Sequence, residues 1–386
     1  MNVFLTGATG FLGGEILMQL AMRPDVDRIF CLVRAKSQEE AAQRMRKLFE
    51  FHGDSYDEDR VIPILGNLTQ TGLSDILAAN EELRGVNVVI HSAANTSFAR
   101  MHDEAVEKVN IQGLKEILEW AKTLPDLNCF VYVGTATIIG KDVKGRVVSE
   151  DESPNLEASH VVKYTYTKML GELIVQEYLP PDQVLIVRPS ILMGDSRPVT
   201  PRSYVILWTL AAGNLMRLLP VNPESALDIV SVDYAADAIV RLIFARRRHK
   251  VYHVSSGVQC ATTPRLLTDA VNHKQNGRPP FLFVDREMLA QMRHWARGKI
   301  SEDAEIFQYP QHLKYWDETF PEKIQLRVLL TGLVPYAEFI DLGQIFDNSR
   351  LLEDTDIGPS EPAHVYLQRC ADVLDKIDVL EGAMDP

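Results

Sequence analysis

Tyr164 and Lys168 stand four residues apart, a spacing that puts a phenol and an ammonium on one face of a helix. A cation beside a phenol favours the phenolate, so Tyr164 is expected to have a lowered pKa and to donate its proton near neutrality. Thr135 follows the apolar run 128–133 and carries a hydroxyl able to hydrogen-bond a reacting carbonyl oxygen. Thr135, Tyr164 and Lys168 thus form a triad suited to delivering a proton to a carbonyl. In a chain with 12 tyrosines such a spacing arises by chance. What gives it weight is its place on a helix that follows the fifth strand-like run.

The first apolar run, 2–5, leads directly into Thr6-Gly7-Ala8-Thr9-Gly10-Phe11-Leu12-Gly13. This GxxGxxG turn opens a helix. Glycine is needed where the turn is tight, where backbone nears a pyrophosphate, and where helix presses on strand; the helix N-terminus then faces the phosphate charge. After a strand, at the start of a βαβ unit, the turn marks a dinucleotide site built on Thr6, Gly7, Thr9, Gly10, Phe11, Leu12 and Gly13. The second run ends Cys31-Leu32-Val33-Arg34. An NAD site usually has an acidic residue here, accepting from the ribose 2′-hydroxyl. Arg34 reverses that charge and suits a 2′-phosphate, with Arg44 on the next helix as a second clamp, so NADPH is the expected cofactor. Asn67 is placed to hydrogen-bond the adenine, with Leu68 beside it. Ala93, Ala94 and Asn95 follow the fourth run, where small residues let backbone lie along the cofactor. Pro189, Ser190 and Ile191 complete the set after the sixth run. His91 reads as a satisfied strand-end residue.

Strand-like runs at 2–5, 28–33, 61–65, 86–91, 128–133 and 183–188 alternate with helical patterns near 11–21, 38–50, 72–79, 101–124 and 160–178. Continuous apolar strands alternating with helices predict an α/β fold: a doubly wound parallel Rossmann sheet covered on both faces. An apolar helix at 203–215, a helix at 232–245 and a strand at 251–255 follow. The expected division is a cofactor domain over 1–255, with a substrate-lobe insertion near 195–230, and a smaller, mainly helical substrate-binding lobe over 256–386. The apolar run 204–219 reads either as core or as the lining of an acyl groove. The basic run Arg246-Arg247-Arg248-His249-Lys250 reads either as a complement to a helix C-terminus or as a dock for an acidic partner.

With 46% apolar and 24% charged residues over 386 positions, the chain has the profile of a globular protein. A formal charge of -13 argues against nucleic acid as the main partner, since phosphate binding needs a basic face. No stretch reaches about 18 uninterrupted apolar residues, so no transmembrane segment is expected. Met1 leads directly into a strand-like run, which predicts no secretory leader. The cysteines (Cys31, Cys129, Cys260, Cys370) lack metal-ligand spacing and read as buried free thiols in a reducing cytoplasm; no metal is expected.

The turn TGATGFLG, the YxxxK pair and VRPS at 187–190 resemble extended short-chain dehydrogenase/reductases over residues 1–255. Narrower segments are similar to the thioester reductases, including fatty acyl-CoA reductases: CLVRA (31–35) with Arg44, GNLTQTGLS (66–74), VIHSAANTSF (89–98), VNIQG (109–113) and VGTAT (133–137). The resemblance implies catalysis by Thr135, Tyr164 and Lys168, a 2′-phosphate held by Arg34 and Arg44, and a substrate acylated on coenzyme A or on an acyl or peptidyl carrier protein. NADPH would reduce that thioester to an aldehyde, with a second reduction to the alcohol left open. Asn67 stands where the family usually has aspartate, and Gly134 where serine is usual. Phe346-Asp347-Asn348-Ser349 resembles the C-terminal part of fatty acyl reductases. Rival readings are a ketone or aldehyde reductase of the same superfamily, a sugar-nucleotide epimerase or dehydratase, and an NADPH-sensing binding protein. Arg34 counts against the epimerase, and the presence of both Tyr164 and Lys168 against the sensor.

Overall fold

The computed structural model describes residues 1–198, 206–272 and 277–384. Seven strands form one sheet: β1 (Asn2–Thr6), β2 (Arg28–Val33), β3 (Val61–Leu65), β4 (Val88–His91), β5 (Cys129–Val133), β6 (Val184–Pro189) and β7 (Val251–Val254). All pairings are parallel, in the order β7-β6-β5-β4-β1-β2-β3. The expected doubly wound sheet is present. Its strands are apolar along both faces because both are covered. On one face lie α1 (Phe11–Ala21), α2 (Gln38–Phe51) and a later helix, Val232–Phe244, packed around Ile16, Met45 and Ile239. On the other lie α3 (Leu73–Ala78), α4 (Gly113–Ala121) and α5 (Lys163–Tyr178). There Trp120 tilts onto Phe4 with ring centroids 4.4 Å apart.

The chain order reverses between β1 and β4, which pair directly (Val3 with Val88). Loops at such a switch point diverge and leave a crevice at the strands' carboxyl ends. Both the glycine turn and the 92–97 loop open there.

Two expectations need correcting. The segment 101–124 is not one helix: a short helix (Asp103–Glu107) passes through a π-turn (Lys108–Gln112) before α4. The extra residue aims Asn110 inward, where its amide binds the Asn95 carbonyl and the Thr167 hydroxyl, both at 3.0 Å. The helix expected from residue 160 starts at Lys163, because His160 instead pairs its ring nitrogen with the Thr165 hydroxyl at 3.1 Å.

A second apolar core forms away from the sheet. The helix Leu207–Met216 packs there with Met288–Ala296, Pro310–Thr319 and Lys323–Gly332 around Trp208, Trp295 and Trp316. Of the apolar run 204–219, residues 204 and 205 lie outside the described residues; Leu207, Trp208, Ala212, Met216 and Leu218 are core. The chain then returns to the sheet. Leu351 and Ile357 join its core, and buried Asp228 accepts from the Ser256 and Phe346 amides at 2.7 and 3.0 Å. The segment after 256 therefore supplies both the helical lobe and a brace on β7.

All four cysteines are buried and unpaired. No helix among the described residues is long and apolar enough to cross a membrane. In the basic run, Arg247 caps the Leu242 carbonyl at 2.6 Å and Arg248 pairs with Asp354 and Glu353. The run thus closes a helix end and ties down the tail.

Candidate active site

Gly7 adopts φ +79°, and a Cβ there would lie 2.8 Å from the Ala93 amide nitrogen. A Cβ on Gly13 would lie 2.1 Å from the Gly7 carbonyl. The turn therefore closes only with glycine at both positions, which leaves bare backbone at the N-terminus of α1. No acidic residue occupies that helix's first turn, so the dipole end stays compatible with a pyrophosphate. Thr6 braces the turn: its hydroxyl meets His91 Nδ1 at 3.1 Å and accepts from the Ala93 amide at 3.1 Å. Its role is to join the glycine turn to the loop after β4. His91 is buried and, through burial and the nearby charge of Lys168, its pKa is held down to about 3. It is a neutral structural residue, as expected.

Arg34 and Arg44 meet at the end of β2, where the Arg44 guanidinium donates to the Arg34 carbonyl. Both are exposed, and among the described residues neither forms an ion pair. Asn67 Oδ1 accepts from the Thr69 amide at 3.1 Å, which spends one of its acceptors on a local turn. Leu68 is buried under α4, where a Cβ on Gly113 would stand 2.7 Å from the leucine Cβ. Ala93 and Ala94 are half-buried at the crevice. Asn95 exchanges backbone hydrogen bonds with the Asn110 side chain at 2.8 and 3.0 Å. Pro189 ends β6 and accepts from the Ala136 amide at 2.8 Å; Ser190 and Ile191 donate to the Val254 and Asp228 carbonyls. The glycine turn, the small-residue loop and the exposed guanidinium pair fit a dinucleotide.

Thr135 sits just past β5, where the Gly134 amide extends the ladder to the Val187 carbonyl at 2.7 Å. Its hydroxyl lies 3.0 Å from that of Thr137. Helix α5 reaches this loop through Met169, which packs with Ala136, Ile138 and Ile139. Tyr132 fixes the helix from below, donating to the Lys168 carbonyl at 3.0 Å while the Lys168 ammonium rides 4.5 Å over its ring. So the loop that bears Thr135 packs against the helix that bears Tyr164 and Lys168, at the carboxyl edge of the sheet.

The expected lowering of the Tyr164 pKa is opposed by burial. Burial pushes the phenol up to about 12 and the Lys168 ammonium down to about 7. Desolvation disfavours the charged form of both groups, so burial outweighs the ion effect.

Sequence reasoning missed two groups. One is Asn110, whose π-turn gives no periodicity signal. The other is an aromatic wall over Tyr164. Phe98 stands 6.2 Å from the Tyr164 ring, 4.9 Å from Tyr336 and 5.3 Å from Phe339. Tyr336 and Phe339 come from the helix Val334–Leu342, whose arrival here no local pattern announces.

The sheet order, the glycine turn and the helix bearing Tyr164 and Lys168 define an extended short-chain dehydrogenase/reductase fold that holds a nicotinamide dinucleotide. Residues 5–239 match the NAD-binding family described as male sterility protein, and the chain belongs to that family. It is 33% identical over 255 residues to a linear gramicidin synthase chain of Brevibacillus parabrevis, covering 62% of this chain and 5% of that one. It is 26% identical over 315 residues to the chloroplastic fatty acyl-CoA reductase 2 of Arabidopsis thaliana, covering 62% of this chain and 50% of the plant protein. The chain thus spans half or less of the length of these two relatives. Among solved structures, the terminal R domain from the myxalamid PKS-NRPS biosynthetic pathway superposes with a TM-score of 0.72 at 22% identity, over 97% of this chain and 90% of that one. UDP-glucuronic acid 4-epimerase from Bacillus cereus, in complex with NAD, gives 0.63 at 15%, over 98% of each chain. Both share the fold.

Proposed function

We propose that the protein is an NADPH-dependent reductase of acyl thioesters carried on coenzyme A or on a carrier protein, with an aldehyde as first product. The observation that carries this is the packing of the Thr135 loop against the helix that bears Tyr164 and buried Lys168. Arg34 and Arg44, exposed and without an ion pair among the described residues, favour a 2′-phosphate and so NADPH over NADH. The fatty acyl-CoA reductase and the gramicidin synthase to which the chain is similar favour a thioester over a ketone or a sugar nucleotide.

The bound nicotinamide supplies a hydride to the carbonyl carbon. Tyr164, kept protonated by burial, gives its proton to the carbonyl oxygen, and Thr135 donates a hydrogen bond to the same oxygen as negative charge develops. Lys168 holds the cofactor ribose and restores the phenol proton. The resulting hemithioacetal expels the thiol and leaves the aldehyde; the balance is one thioester, one hydride and one proton in, one aldehyde and one thiol out. Residues 206–229 and the helical lobe after 256 form the substrate side, with Phe98, Tyr336 and Phe339 roofing Tyr164.

The test couples thiol trapping to NADPH absorbance with an acyl-CoA substrate. Thiol release equal to NADPH consumed, or half of it if reduction continues to the alcohol, supports the reading. NADPH oxidation of ketones or aldehydes without activity on any thioester would overturn it.

A further inference from the structure

Arg34 and Asn67 stand at the ends of neighbouring strands. Val33 pairs with Leu65 in the ladder between β2 and β3, and the Gly66 amide extends it by donating to the Val33 carbonyl at 3.2 Å. Outward from the switch point the strands run β1, β2, β3. A dinucleotide with its pyrophosphate at the glycine turn after β1 and its ribose at the end of β2 has one direction left for its base, over the end of β3. Asn67 is the first polar side chain past that strand.

The segment that carries Asn67 is held on all sides. A Cβ on Gly66 would lie 2.6 Å from Leu32 Cδ1 and 3.1 Å from Leu73 Cδ1. Leu68 is buried against α4, where a Cβ on Gly113 would lie 2.9 Å from the Leu68 carbonyl oxygen. The Gln70 amide donates to the Asn67 carbonyl at 2.8 Å.

The carboxamide of Asn67 is fixed end for end as well. A backbone N–H can only donate, so the side-chain atom that faces the Thr69 amide at 3.1 Å is the oxygen. The nitrogen is then the end left over. Among the described residues Nδ2 makes no hydrogen bond, and it is not buried. It carries two N–H donors and no lone pair to offer.

We infer that Asn67 meets the cofactor base with a donor, so that the site does not read the exocyclic amine and takes a hypoxanthine dinucleotide as readily as an adenine one. Adenine presents N–H donors on its 6-amino group and acceptors at its ring nitrogens. A donor set against the amine finds no partner; set against a ring nitrogen, it does. Hypoxanthine keeps N7 and replaces the amine with a carbonyl oxygen, which is a further acceptor, so Asn67 loses nothing by the exchange. This rests on the nicotinamide dinucleotide site alone, and not on the thioester substrate or on the 2′-phosphate.

The test is titration calorimetry of the full chain with NADP⁺, NAD⁺ and the hypoxanthine counterpart of each. In the wild type, the Kd for each hypoxanthine dinucleotide is expected within about threefold of its adenine partner, less than one neutral hydrogen bond usually contributes. Asn67→Asp is isosteric and leaves an oxygen for the Thr69 amide, but it turns the free donor into a carboxylate oxygen. That oxygen accepts from the adenine amine and repels the hypoxanthine carbonyl, so the preference for adenine should rise by about tenfold or more. A wild-type preference for adenine beyond the threefold range overturns the inference, whatever the variant does. So does a base ratio that Asn67→Asp leaves unchanged. Failure of the 2′-phosphate reading would show instead as equal binding of NADP⁺ and NAD⁺, with the base ratios intact. Binding of none of the four would overturn the cofactor site and the inference with it.

Discussion

Glu172 stands one turn beyond Lys168 on α5, yet both its carboxylate oxygens are held by Arg188, at 2.9 and 2.6 Å. Both partners of this pair are buried. The i, i+4 spacing would otherwise let Glu172 neutralise the lysine. Strand β6, by supplying Arg188, holds Glu172 away from pairing with Lys168.

Replacing Arg188 with Met should therefore do two things. Leaving Glu172 buried without its partner should cost about 3–5 kcal/mol of stability, read by chemical denaturation. The freed carboxylate should also favour the charged lysine, so the limb of the pH–rate profile governed by Lys168 should move to higher pH. Adding Glu172→Met should restore much of the stability and return the limb toward its wild-type position. An Arg188→Met profile with no shift would mean that Glu172 does not reach Lys168.

The 2′-phosphate reading predicts a selective loss. Arg34→Ala removes a charge-assisted contact of very roughly 1.5–3 kcal/mol, so NADPH should bind about tenfold or more weakly while NADH is little affected. Arg44→Ala should show the same selectivity, because Arg44 also braces the Arg34 carbonyl. Fluorescence titration with both cofactors measures it. Equal losses for NADPH and NADH would show that these arginines do not read the phosphate.

The sheet is legible from residues 2–255 because each strand is a short apolar run punctuated by a turn, and the glycine turn marks its first strand. Thr135 is legible because it directly follows the fifth strand, and the Tyr164–Lys168 pair because its i, i+4 spacing falls on the helix after that strand. What the sequence hides is long-range. Asn110 sits in a π-turn, which keeps helical periodicity nearly intact. Tyr336 and Phe339 reach Phe98, the ring beside Tyr164, from a helix far along the chain. Spacing alone misjudges the Tyr164 pKa because it shows a neighbouring charge but not the burial that outweighs it.

Tyr164→Phe keeps the ring against Phe98 and removes the proton. Loss of a general acid typically costs about 10²–10⁴ in rate, so kcat should fall by that factor while NADPH affinity stays near wild type. Thr135→Val should cost about 10²–10³, the usual effect of deleting one oxyanion donor, and Thr135→Ser should recover most of it. Single-turnover kinetics with saturating cofactor separates these from binding defects. A fully active Tyr164→Phe protein would remove the phenol from the proposed chemistry.

Lys168 should make the protein less stable than it need be. Its ammonium falls from 10.5 in a free side chain to about 7 because it is buried, and a depression of that size corresponds to a penalty on the order of 5 kcal/mol when fully expressed. The sign follows from linkage. Above pH 10.5 the lysine is neutral in both folded and unfolded chains, and no penalty exists. As pH falls toward 7 the unfolded chain binds the proton first, so the folded state loses ground. Below about 7 both states are protonated and the penalty is constant. Lys168→Met keeps an unbranched chain over the Tyr132 ring and carries no charge. It should raise the melting temperature most at and below pH 7, progressively less up to pH 10.5, and not at all beyond, while abolishing activity. Scanning calorimetry of both proteins from about pH 6 to 11 tests this. A melting-temperature difference that does not change with pH, or a loss of stability at pH 7, would show that Lys168 is not desolvated in the folded protein.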